Sequence, residues 1–228
     1  MNEGERIAES DEPTTQDFLM VSMPTMPLGN VSLFHDAIYY SIESIMLVFL
    51  AKMVLKGKVA MLAALAKAKA RPTSPVDIRY WSTTPYLLGN GQAVKYSVVP
   101  TSKRRSTLPD SLGDTYLSDN LQAHLAEADA SFDFKMQVRT NAKTMPIEDS
   151  AVEWLETEAP FVKVATLVIP KQTFRSADRD SLAEALTFSP AHALAVHRPL
   201  GSINRARLKI YRALSQFRQQ RDQRKHVP

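Results

Sequence analysis

The chain has 228 residues, 44% of them apolar and 23% charged, with a formal net charge of +4 and no cysteine. That length and balance suit one soluble globular domain with a sizeable core, and the lack of Cys excludes disulfides, thiolate nucleophiles and Cys-ligated zinc or iron–sulfur sites. The charge is unevenly spread: residues 203–228 carry eight Lys or Arg against Asp222, a local +7 that leaves −3 on the rest (+4 less +7), so no nucleic-acid partner is expected.

Residues 1–16 are polar and acidic without periodicity and are expected to be disordered. They contain neither a basic nor an apolar signal region, which points to a cytoplasmic protein. Asp17 to Met23 reads as a buried strand ended by Pro24. Residues 31–70 are helical in composition. The apolar tract from Ile45 to Leu65 is interrupted by Lys52, Lys56 and Lys58, charges too costly for the middle of a membrane span, so a buried or amphipathic helix pair broken near Gly57 is expected instead. The methionines here and upstream read as core filler.

Strand character returns from Asp77 to Pro100, where Tyr86-Leu-Leu and Ala93-Val-Lys-Tyr-Ser-Val-Val flank Gly89-Asn90-Gly91 as a hairpin. A polar loop and a short helix at 120–128 follow. Residues 132–138 alternate apolar and polar as a half-buried strand, and Phe161 to Ile169 is a further strand between two prolines. A short helix at 181–186, a turn at Phe188-Ser-Pro and a long helix after Pro199-Leu-Gly complete the chain. The order predicts an α+β fold, its antiparallel sheet curled toward a barrel.

The last helix carries the candidate site. Arg207, Tyr211 and Arg218 are spaced by 4 and 7 residues and lie within roughly 40° of one another on a helical wheel. Ile203, Ile210, Leu214 and Phe217 fall beside them as the expected buried stripe, while Arg205, Lys209 and Arg212 take the solvent side. A tyrosine between two arginines suits a phenol held as an anion, because nearby positive charge favours ionisation, and tyrosinate is a known haem ligand. Other candidates are weaker. Glu148, Asp149 and Glu153 read as a solvated acidic cluster, His192 and His197 lack carboxylates at metal-ligand spacing, and Trp81 and Trp154 read as packing residues.

Taken together, several segments resemble the catalase superfamily, in particular its small members. Tyr80-Trp-Ser-Thr-Thr-Pro-Tyr through Pro100 is similar to the family's barrel hairpin. Thr144 to Trp154 and Val162 to Pro170 resemble the strand pair after it, and Leu186-Thr-Phe-Ser-Pro190 with His197-Arg-Pro-Leu-Gly201 resemble the approach to the proximal helix. The likeness runs from Asp17 to Arg218 and implies a catalase-like core over 17–228. It implies haem (Fe) as cofactor, Tyr211 as the iron ligand, Arg207 as the arginine that bonds the phenolate, and Arg218 as a further arginine on the haem side. The implied chemistry is decomposition of hydrogen peroxide or an organic hydroperoxide by an oxidoreductase, with a homo-oligomer among the implied assemblies.

The chain also departs from the family. Family members carry a distal histidine and barrel strands upstream of the segment matched by Asp17, where only sixteen residues stand here, so the chain looks N-terminally truncated. None of His35, His124, His192, His197 and His226 matches the distal motif, and Ser22 stands where a distal asparagine is expected. No catalytic residue is therefore assigned, and peroxide turnover is expected to be impaired. Two alternatives follow. One is a non-catalytic remnant that binds partners through its basic C-terminal helix; the other is a split enzyme completed by a second polypeptide. An open sheet edge would also promote self-association.

Overall fold

The computed structural model describes residues 4–59, 61–63 and 71–225, the last four by backbone only. Its helices are α1 (Val31–Ile42), α2 (Met46–Leu55), α3 (Tyr116–Glu127), α4 (Ala177–Ala185) and α5 (Ser202–Lys225), with a 3₁₀ turn at Ala195–His197. Its strands are β1 (Tyr80–Trp81), β2 (Tyr86–Leu88), β3 (Gln92–Pro100), β4 (Ala130–Val138) and β5 (Val162–Ile169). Every ladder is antiparallel. β3 pairs with β1, β2 and β4, and β4 pairs with β5 across a register shift at Phe134/Lys135. The fold is thus α+β with an antiparallel sheet, as expected, but the sheet is open rather than closed, with β5 at one edge.

Local chemistry explains the element ends. Asn30 caps α1 by accepting the Leu33 N–H at 3.1 Å. The β2–β3 turn uses Gly89 and Gly91 at φ +55° and +99°, which the hairpin predicted. The helical tract breaks at two places. Ser44 sits at φ +58° between α1 and α2, and Gly57 at φ +67° follows α2. The sequence pointed only to the second break.

The sheet's two faces are packed differently, as strand alternation requires. One face carries Tyr86, Val94 and Tyr96, with Phe134 and Met136 against them. Phe18 meets the Tyr96 and Phe134 rings edge-on, at centroid distances of 5.1 and 5.0 Å. The other face carries Ala93 against Met145, Trp154 and Ala159. There the buried Gln137 donates from Nε2 to the carbonyls of Trp154 and Ala159 at 2.8 and 2.7 Å, pinning the 145–159 loop to the sheet.

Lys95 lies on that same face, 4% exposed, its Nζ over the Trp154 ring at 4.8 Å and without a hydrogen-bond partner among the described residues. Burial lowers its pKa from 10.5 to about 8, with Glu153 and Asp149 opposing the shift. Between those values the unfolded chain binds more protons at this lysine than the folded one, so stability rises with pH across the window. Chemical denaturation from pH 8 to 10 is expected to show a gain on the order of 2 kcal/mol, absent in Lys95→Met. A wild-type profile flat over that window would contradict this.

Two expectations are corrected. Asp17–Met23 is not a buried ladder strand: it joins the sheet by a single bridge, Val21 to Trp81, and Phe18 and Val21 are exposed. Residues 5–17 bond to the 192–195 segment. Ile7 N–H donates to the Ala193 carbonyl, Ala195 N–H to Glu5 and Asp17 N–H to His192, while Asp11 and Asp17 bracket His192 at 2.9 and 2.7 Å. Polar side chains that lack periodicity can still dock through such specific bonds. The helix pair expected to break at Gly57 is, finally, already divided at Ser44 into α1 and α2, with Phe49 and Met53 buried and Leu47 and Leu55 exposed, and residues 64–70 of that tract lie outside the described residues.

Candidate functional site

The site is built where α5 begins. Gly201 precedes the helix at φ +88°, and a Cβ placed on it would stand 2.4 Å from the Ile147 carbonyl oxygen, so only glycine permits this entry. Leu200 N–H donates to the Pro85 carbonyl at 2.9 Å, fixing the helix start against the β1–β2 segment. Asn204, fully buried one turn in, completes the anchor. Its Nδ2 donates to the carbonyls of Pro85 and Leu200 at 3.0 and 2.9 Å, and its Oδ1 accepts from Thr84 Oγ1 at 3.0 Å.

Arg207 continues the line. Its Nη1 donates to Asn204 Oδ1 at 3.2 Å and Thr84 Oγ1 at 3.3 Å, and its Nη2 to the Tyr211 hydroxyl at 3.5 Å. The guanidinium carbon stands 5.3 Å from the Tyr211 ring centre. The two residues chosen from helical spacing therefore do meet, and both are half-buried.

Tyr86 is the neighbour that sequence reasoning missed. It is almost fully buried, and its hydroxyl finds no well-formed hydrogen bond among the described residues. Burial pushes its pKa up, opposed by the charge of Arg207 and by Thr84 close by. Thr84 and Asn204 were missed too, since each is an ordinary polar residue whose role exists only in the folded chain. A pointer to Asn204 was its place one turn before Arg207.

Arg218 goes elsewhere. Its Nη2 donates to the Leu186 carbonyl at 2.8 Å, beside a Thr187–Ser215 hydroxyl contact at 3.1 Å. The expected buried stripe is also corrected. Ile203 is buried, but Ile210, Leu214 and Phe217 are exposed, Phe217 by 64%, since the contacts of this stretch with the 186–187 segment run through Arg218 and Ser215 and not through these apolar side chains. The acidic cluster splits up: Glu148 forms a two-pronged pair with Arg205 at 3.0 and 2.9 Å, and Asp149 accepts from the Ala151 N–H.

For a fit to haem, the chemistry present is one phenol oxygen, that of Tyr211, which accepts a bond from Arg207. A cavity of about 730 Å³ lies along the sheet and is lined by apolar residues such as Phe18, Val98, Leu125 and Phe132, and by none of the three helix residues. Among the described residues no cluster of three or more His, Asp or Glu is arranged to hold a metal ion. His124 lies against the Asp129 carbonyl, His192 is held by Asp11 and Asp17, His35 is on α1, His197 is in the 3₁₀ turn, and His226 lies outside the described residues.

No family model matches the chain, and no curated protein matches it. Solved structures do. The structure of a bacterial catalase aligns over 86% of this chain and 42% of its own, with a TM-score of 0.59 and 13% identity. A fungal catalase aligns over 64% of this chain and 32% of its own, at a TM-score of 0.54 and 18% identity. Catalase A from Saccharomyces cerevisiae aligns over 64% and 33%, at a TM-score of 0.54 and 15% identity. The likeness establishes a catalase-like fold, and the chain spans less than half the length of these catalases.

Proposed function

We propose that this chain, on its catalase-like fold, binds haem through the Tyr211 oxygen, with Arg207 beside it. The observation that carries this reading is the hydrogen-bonded line Thr84–Asn204–Arg207–Tyr211, which holds a guanidinium against a phenol at the start of α5. Arg207 donates to the Tyr211 hydroxyl, and Thr84 and Asn204 keep its guanidinium from swinging away. Arg218, farther along the same helix, is bonded to the Leu186 carbonyl and is left out of this reading. Haem, when bound, would supply a ferric centre for peroxide or hydroperoxide decomposition. Proton transfer between peroxide oxygens needs a base, and the described histidines are engaged elsewhere or sit on other elements, so turnover is proposed to be weak.

Haemin titration followed by its Soret absorbance tests the reading. A one-to-one complex with a tyrosinate-type ferric spectrum is expected, and it should disappear in Tyr211→Phe. Stoichiometric binding that survives this substitution would overturn the assignment.

A second reading rests on a different observation. The exposed Ile210, Leu214 and Phe217 share α5 with exposed Lys209 and Arg212, a surface fit for an acidic, partly apolar partner. Under it the protein shows no haem affinity, and salt weakens partner binding.

A further inference from the structure

The α1–α2 pair has two sides with opposite characters. Inward, Phe49 and Met53 are fully buried among Leu28, Leu33 and Phe34. Outward, Ile42, Leu47 and Leu55 are 73%, 80% and 89% exposed, and Val48, Val54 and Val59 are more than half exposed beside them. A patch of this kind on a helix pair marks a docking surface.

Its charge selects the occupant. From residue 44 to residue 76 the sequence has no Asp or Glu and six Lys or Arg. Lys56 and Lys58 are exposed immediately after α2, at the end of the apolar stripe, while Lys52 turns to the Tyr40 hydroxyl at 3.4 Å. The acids on the pair are Asp36, which sits 3.7 Å from His35, and Glu43 at the corner between the helices. A second copy docking face to face would bring the same lysines together with few carboxylates to meet them. A negatively charged surface with an apolar interior satisfies both the lysines and the leucines.

We infer that the α1–α2 pair lies flat on an anionic lipid bilayer, its outward leucines in the headgroup–acyl boundary and Lys56 and Lys58 on the lipid phosphates. Ten residues of α2 extend about 15 Å, half a bilayer core, so the helix rests in the interface rather than crossing it. No helix among the described residues is long and apolar enough to span. The inference is independent of haem.

Vesicle co-sedimentation of the full chain tests it, with phosphatidylcholine alone against an equal mixture with phosphatidylglycerol. Binding to the mixed vesicles is expected, with little to the neutral ones, weakened about tenfold by ~0.5 M NaCl and by Lys56→Glu/Lys58→Glu. Leu47→Ser/Leu55→Ser, at positions too exposed to matter for folding, should abolish it. Equal binding to both vesicle types, or none to either, overturns the inference. So does a salt-resistant dimer that Leu47→Ser/Leu55→Ser dissolves.

Discussion

Gly201→Ala is expected to destabilise the fold by about 3 kcal/mol or more and to remove the Tyr211 site with it. Two costs combine. The residue's φ of +88° is unfavourable for any side chain, by on the order of 1–3 kcal/mol. The added methyl would also press to 2.4 Å on a backbone carbonyl, which cannot rotate away as a side chain could. Relief requires the helix start to move off Ile147, and that movement pulls Asn204 and Arg207 away from Thr84. Urea denaturation measures the first effect and haemin titration the second. Gly89→Ala is the control: its φ is also positive, at +55°, but nothing lies within 4 Å, so it should cost only about 1 kcal/mol and leave the site intact. Equal effects from the two substitutions would disprove the close-contact argument.

Asn204→Leu is expected to cost a further large amount, about 2–4 kcal/mol, although leucine fills a similar volume. The substitution leaves the Pro85 and Leu200 carbonyls, the Thr84 hydroxyl and one Arg207 arm without the amide that joins them. Asn204→Asp separates the parts of this loss, since it keeps an acceptor for Arg207 and removes the two donated bonds. It should fall between wild type and Asn204→Leu in stability. Combining Asn204→Leu with Thr84→Val should cost clearly less than the sum of the two single changes, because the residues share one network. Strict additivity in chemical denaturation would show that the network is not a unit.

Local pattern made much of the fold legible. Alternation in residues 132–138, the apolar run at 162–169 and Gly89-Asn90-Gly91 each encode a strand or hairpin within a few residues, and each element formed where expected. The long C-terminal helix and the approach of Arg207 to Tyr211 were equally local, since residues four apart on a helix are neighbours whatever surrounds them. Asp17–Met23 failed for the complementary reason. An apolar run states that burial is wanted, but not whether a partner strand is at hand to supply hydrogen bonds, and only Trp81 was.

By itself, then, the sequence determined the α+β class, most element positions and the pairing of a guanidinium with a phenol on α5, all consequences of periodicity and short spacing. Tertiary structure alone decided that the sheet stays open, that Arg218 turns to Leu186, and that Ile210, Leu214 and Phe217 are left exposed. It also brought Thr84, Tyr86 and Asn204 together across more than a hundred residues of chain. Helical geometry fixes which side chains share a face. What that face meets depends on distant segments, and no local pattern carries that information.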